Sequence, residues 1–249
     1  MIKNVFGTTV DLLGEAIVSG RYPVGESLPA EPLLSEELGV SRSVLREAVK
    51  SLVAKGLLTT GPKVGTRVLP DNQWNWFDPD VIAWLVKKGL PTEFVRDLQD
   101  LRRVVEPAAV RLAAQRADAQ DLAAIESAFA GMKRAVEQGG DDYITHDLRF
   151  HQSLLRASGN RMLAQMSEVL SALLQTSFEI STRKDNGPAS SLSMHREVLD
   201  AVTARQPERA EQVILRLIDS ARQDIDEVLS QPATRTRRPR QTDAVALTS

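Results

Sequence analysis

The 249-residue chain has no cysteine. That excludes disulfides, thiolate catalysis and thiolate-bound metal, and fits a reducing cytoplasm. Histidine is nearly as scarce: His146, His151 and His195 are the whole set, and all lie in the C-terminal half, which confines any imidazole site to that region. No apolar run approaches the ~18 residues needed to cross a bilayer, and the start "MIKNVFGTTVDL" lacks the apolar core and cleavage site of a signal peptide. The expectation is a cytoplasmic protein with no membrane partner. A strong charge bias is missing too, since the formal net charge is −2, so the average gives no hint of nucleic acid. What is present, 42% hydrophobic and 26% charged residues, describes an ordinary globular chain long enough for two domains.

The average hides a local imbalance. From Arg42 to Arg67 there are six basic residues (Arg42, Arg46, Lys50, Lys55, Lys63, Arg67) and one acidic residue, Glu47. The spacing predicts a helix over 5–19, with Phe6, Val10, Leu13 and Ile17 on one stripe. "GRYPVGESLPAE" reads as a loop, and "PAEPLLSEELG" as a short helix opened by proline and stopped by Gly39. Ser41 is suited to cap the next helix, which runs through Leu45, Val49 and Leu52 to Lys55 and ends at Gly56. Two short strands follow around "GPKVG", where Gly61 and Gly65 allow a tight turn.

The short "ELGVSRS" connection between two helices is a helix-turn-helix signature, in which the second helix enters the major groove. Arg42, Arg46 and Lys50, four apart, share one face of that helix. Ser41, Arg42, Ser43 and Arg46 would reach base edges or phosphate, and Lys50 phosphate. In the wing, Gly65 gives the turn while Lys63 and Thr66 offer phosphate contacts. A basic face can also be merely solvated. Here it coincides with a cap, a short turn and a glycine-flanked basic wing, and that context favours double-stranded DNA.

"GRYPVGESLPAEPLLSEELGVSRSVLREAVKSLVAKGLL" followed by "GTRV" resembles the winged helix of the GntR family of bacterial transcription regulators. Many members carry arginine directly after "LPAE"; here Pro32 stands there, which removes one implied DNA contact and leaves more of the readout to Arg42 and Arg46.

The fold expected is mainly α. Residues 1–70 form the winged helix-turn-helix, 71–78 ("DNQWNWFD") an aromatic linker that docks on one of the domains, and 79–230 an all-helical domain of about seven helices. Residues 231–249 form a disordered basic tail containing "TRTRRPRQ". Pro107 falls inside the helix predicted over 92–116, where it should kink it. In "DLRFHQSLL", Asp147 and His151 lie at i,i+4 beside an apolar stripe, and "MHREVLDAV" sets His195 on the face of Val198, Leu199 and Val202. His146, about 100° round from Asp147, reads as exposed. A buried carboxylate wants a metal, an arginine or a ligand hydroxyl. Each of these residues alone is as readily a satisfied core group, so spacing by itself leaves a ligand site open.

"LRRVVEPAAVRLAA", "DLRFHQSLLRASGNRML", "HREVLDAV" and "PERAEQVILRLI" resemble the FCD ligand-binding domain of the FadR subfamily of GntR regulators. The metal-binding members hold a divalent ion such as zinc with one Asp and three His, and the ion grips a carboxylate effector. Asp147, His151 and His195 fall on three of those positions and Leu217 on the fourth, so the resemblance implies a metal-free or weakly bound site and no certain cofactor. It also implies that Arg102 faces the pocket toward an effector carboxylate, with Asp147, His151, His195 and Arg149 on its hydroxyls. The linker "NQWNWFDPDVIAWL" brings the likeness nearest to members that govern sugar-acid catabolism, with D-galactonate the first candidate effector. The function implied is that of a homodimeric repressor, released from a palindromic operator by a small carboxylate sugar acid. A constitutive DNA-binding dimer and a metal-dependent sugar-acid enzyme using Asp147, His151 and His195 are the other readings. With no nucleophile motif and a DNA-binding module in front, an enzyme is not expected.

Overall fold

A computed structural model describes residues 4–62, 65–181 and 187–230. Lys63 and the basic tail, 231–249, lie outside the described residues. Among these residues the protein has ten α-helices, one 3-10 turn and a two-stranded antiparallel sheet, and no helix is long and apolar enough to cross a membrane.

The N-terminal body is a winged helix. Asn4 caps α1 (Val5–Val18) by accepting from the Gly7 amide. Helix α2 (Glu31–Glu37) opens with Pro32 in its first turn, and α3 (Arg42–Ala54) is capped by Ser41, which accepts from the Val44 amide at 3.3 Å. Strands β1 (Leu58–Gly61) and β2 (Gly65–Val68) pair in register from Leu58 opposite Val68 to Gly61 opposite Gly65. The stretch before α2, read from sequence as plain loop, in fact lies along the free edge of β2. Leu28 donates to the Thr66 carbonyl and Val68 to the Glu26 carbonyl, so the wing gains backbone bonds on both sides.

Leu13, Ile17, Leu45, Leu52 and Leu58 build the core of this body, and residues beyond the wing complete it. Helix α4 (Pro79–Lys88) adds Val81, Trp84 and Leu85. The Trp84 ring lies directly over Gly14, where a Cβ would collide with it. On its other face α4 places Ile82 in a second core, with Leu98, Leu155, Leu170, Leu174 and Phe178. This one helix is therefore shared by the two bodies.

The linker is docked, as its aromatic content suggested, but not throughout. Trp74 is buried and donates its indole N–H to Leu69; Trp76 donates to Asp71 and stacks on Phe94, ring centres 4.7 Å apart. Phe77, 48% exposed, stays outside. The end of α3 is fastened here as well. Lys55, its C-cap, bonds both oxygens of Asp78 at 2.9 Å and Asp80 at 2.8 Å. Gly56 turns the chain with φ 78°, and a Cβ there would run into the Gln73 carbonyl.

Six helices follow: α5 (Thr92–Arg116, running on through Pro107), α6 (Ala119–Gln138), α7 (Tyr143–Ala157), α8 (Arg161–Ser181), α9 (Gly187–Thr203) and α10 (Pro207–Ser230). Phe150, Leu154, Val198, Val202, Ile214 and Ile218 fill the main core between them. Surface ion pairs line the α5–α10 seam: Arg96–Asp226 at 3.4 Å, Arg222–Asp100 at 2.6 Å, Arg103–Asp219, and Arg111 with Glu208 and Glu211. Each stabilises little, but together they fix the register of α10 against α5. His146, read as exposed, instead packs its ring over Gly131 of α6 and is 15% exposed.

Candidate functional sites

The first site is the outer face of the winged helix. Ser41, Arg42, Ser43, Arg46 and Lys50 are all exposed on α3, and Gly65 and half-buried Thr66 stand in the neighbouring wing. The three cations differ in their surroundings. Lys50 bonds Glu47 at 2.8 Å, Arg46 donates its Nε to Glu31 at 2.8 Å, and Arg42 has no acidic partner among the described residues.

The second site is a cavity of about 40 Å3 inside the helical body. It is walled by Arg102, Tyr143, Asp147, His151, Phe178, Ser191, His195 and Leu217, with Ser220 and Asp224 of α10. Helical periodicity delivers them: Tyr143, Asp147 and His151 follow at intervals of four on α7, as do Ser191 and His195 on α9. Asp147, His151 and His195, all three buried, bring ligand atoms within 4.8 Å of one another. Arg149, expected beside them, is exposed and lines a separate groove between α7 and α8. Two residues beyond Asp147 it points roughly 200° away on the helix, so it is removed from the cavity set.

Glu106, four residues after Arg102 in the sequence, has no place in the site expected from sequence, yet it is central to it. Arg102 and Glu106 are each 1% exposed and form a buried pair at 2.6 Å, one turn apart on α5. Arg102 further reaches Gln99, whose amide bonds Ser177, and lies 4.9 Å from the centre of the Phe178 ring. The second Glu106 oxygen bonds His151 Nδ1 at 2.6 Å. Burial works to raise the Glu106 pKa, but the Arg102 guanidinium and His151 outweigh it and hold the group at about 2. For Asp147, burial is likewise overcome by His195 and His151, which keep it well below the ordinary carboxylate range. Burial pushes His151 down, yet Glu106 and Asp147 bring it up to about 9. Tyr143 stays protonated, its hydroxyl driven up by burial and then by Asp147, and bonds Ser191 Oγ at 2.7 Å.

These contacts fix the tautomers. A carbonyl oxygen only accepts, so His195 Nδ1, 2.9 Å from the Ser191 carbonyl, carries a hydrogen. Ionised Glu106 requires the same of His151 Nδ1. In their neutral forms both rings then aim an Nε2 lone pair at one oxygen, Asp147 Oδ1, from 3.1 and 3.4 Å. Three acceptors converge, and only extra protons or a cation can reconcile them. The two distances to Asp147 lie near the edge, about 3.3 Å, of a tetrahedron with bonds of 2.0–2.1 Å, and the two imidazole nitrogens lie within 4.8 Å of each other. Glu106 and the Ser191 carbonyl already orient the two rings from behind. The residues present therefore fit a divalent ion such as zinc with three protein ligands and an open fourth position.

Without the ion, the protons carry a pH dependence. The contribution of His151 is complete below about 6.5 and is lost as pH rises through about 9; that of Glu106 is complete above about 4.5 and is lost as pH falls through about 2. In EDTA, the free energy of unfolding by urea should fall by on the order of 2 kcal/mol between pH 6 and 9. A flat profile over that range would show His151 neutral in the folded protein.

A helix-turn-helix presented beside a β-wing defines a DNA-binding protein, and behind it stands an all-helical body with a small cavity lined in part by Arg102, Asp147, His151 and His195. The chain belongs to the GntR family of transcriptional regulators. The family model described as bacterial regulatory proteins, gntR family, matches residues 7–68, and the FCD domain model matches 97–220. The galactonate operon transcriptional repressor of Escherichia coli (strain K12) is 36% identical over 92% of this chain and 100% of its own. Among solved structures, Streptococcus agalactiae GntR matches 88% of this chain and 99% of its own at 28% identity, with a TM-score of 0.50. Lar of Listeria monocytogenes, at 18% identity, shares the fold over 91% of this chain and 99% of its own, with a TM-score of 0.62.

Proposed function

We propose that this regulator is a homodimeric repressor of sugar-acid catabolism that leaves its operator when a small carboxylate, D-galactonate in the first instance, enters the FCD cavity bound to a divalent ion. The observation that carries the reading is the convergence of Asp147, His151 and His195 on one point. Electrostatics is compatible with the ion's part in it. The Arg102 Nε is already engaged by Glu106, and Asp147 faces the cavity between two imidazoles. A divalent ion held by Asp147, His151 and His195 would replace the imidazolium proton and set a cationic point before an anionic effector. The ion would offer its open position to the carboxylate, while Tyr143, Ser191 and Ser220 supply groups for sugar hydroxyls. The 36% identity to a galactonate operon repressor supports the effector class.

The small volume supplies a reason for release. About 40 Å3 is space for a water or two, far below what a six-carbon acid needs. Entry of the effector must push the walls apart. Phe178, one of those walls, packs in the same cluster as Ile82 of α4, and α4 is fastened through Asp78 and Asp80 to Lys55 at the end of the recognition helix. Expansion of the cavity is thereby passed to the angle of the head, and an effector that favours a badly spaced pair of heads loosens DNA.

Fluorescence anisotropy on a labelled fragment from the gene's own upstream region tests this, with full-length protein in zinc and after EDTA. In zinc, D-galactonate is expected to weaken binding at least tenfold while galactose does nothing. Equal release after EDTA would remove the ion from the proposal. Indifference to every sugar acid would leave a constitutive DNA-binding dimer.

A further inference from the structure

The paired state of Arg46 has a meaning for DNA reading that is independent of the cavity and of any effector. Arg46 sits on the exposed face of α3, 65% exposed, and donates its Nε to Oε2 of Glu31, the first residue of α2, at 2.8 Å. Both residues border a groove of about 270 Å3 that runs between the α2–α3 pair and the wing, with Thr60 and Thr66 on its far side. Glu31 suits the first turn of α2 electrostatically, but like Glu47 it repels the phosphates that Arg42, Arg46 and Lys50 attract. Toward DNA its charge alone is a cost; what sets it apart is the atom of Arg46 that it holds.

We infer that Glu31 is a specificity-determining residue of the DNA-reading surface, holding Arg46 by Nε so that the fork of its two terminal nitrogens faces a guanine. A guanidinium is planar, and a bond to Nε fixes the orientation of that plane about the otherwise free end of the side chain. With Nε occupied, the Nη1–Nη2 edge is what remains, and two parallel N–H groups match O6 and N7 of guanine in the major groove. Arg42, with no such partner, stays free to follow phosphate or base. Glu31 thus gives up attraction for all DNA and gains discrimination at one base pair. Glu31 is a positioning residue outside the recognition helix, carried on α2.

The test is selection of binding sites from a random duplex library by the full-length protein, with wild type, Arg46→Lys, Glu31→Ala and Glu31→Gln run in parallel. Lysine lacks the fork, so Arg46→Lys marks the motif position that Arg46 reads. Glu31→Ala should lose guanine preference at that same position, roughly tenfold, with the other positions unchanged. Its affinity for scrambled duplex should be equal to or tighter than wild type. Glu31→Gln, whose amide oxygen still accepts from Nε, should keep most of the preference. Retained preference at the Arg46 position in Glu31→Ala overturns the inference. So does an equal loss of affinity for selected and scrambled duplexes, which would mark Glu31 as a purely structural residue.

Discussion

Replacing Glu106 with leucine is expected to cost roughly 3–5 kcal/mol of stability. The reason lies in what is left behind. Arg102 is 1% exposed and would remain a buried cation that keeps a hydrogen bond to the Gln99 amide oxygen at 3.5 Å, while His151 Nδ1–H would lose its acceptor at 2.6 Å. Urea unfolding of the full-length protein reads the loss. The double variant Arg102→Met, Glu106→Leu should recover most of it, since a buried ion pair exchanged for apolar groups of similar volume is commonly neutral or better. If the double variant is as unstable as the single, the pair is needed for more than mutual neutralisation. If the single variant is barely affected, Arg102 reaches solvent when its partner is gone.

The second large effect is a gain. Leu217 lines the cavity with Asp147, His151 and His195, and the family resemblance sets it where the metal-binding members carry their last imidazole. Leu217→His is expected to convert a three-ligand site into a closed four-ligand one and to raise zinc affinity roughly a hundredfold, read by competition with a chromophoric chelator. The same variant should respond less to D-galactonate, because the position left for the carboxylate is filled. Unchanged zinc affinity would show that position 217 does not face the ion, and no zinc binding by the unsubstituted protein would remove zinc from the cavity.

Much of the fold was legible because it is built from local signals. Ser41 as a cap, Gly39 and Gly56 as stops and the i,i+4 stripes each report on a few residues at a time, and these set where the helices begin and end. Asp147, His151 and His195 could be picked out because histidine is so rare here. What escaped depends on tertiary burial. An Arg–Glu pair one turn apart on a helix normally belongs to solvent, and nothing within "LRRVVEPAAV" tells that Arg102 and Glu106 are enclosed. Ser191 and Tyr143 carried a readable signal, one turn before His195 and Asp147, that goes unnoticed beside the more conspicuous histidine and aspartate. Arg149 was misjudged through nearness in sequence, where helical phase was the better guide. The edge pairing of residues 26–28 with β2 had no local mark at all, since a proline-broken segment reads as loop whether or not it finds a strand.

Helix α4 also bears on how such a protein could be assembled from parts. Its Trp84 covers Gly14, its Val81 and Leu85 complete the core around Leu13 and Ile17, and Lys87 and Lys88 grip Glu15 and the Val18 carbonyl. A head severed after the wing, near residue 70, would leave that apolar surface bare and would be prone to clump. The portable piece is residues 4–88. A graft onto a foreign sensor must therefore carry α4 with it and supply both a new seat for Ile82 and a ring or flat face for Trp76, which stacks here on Phe94.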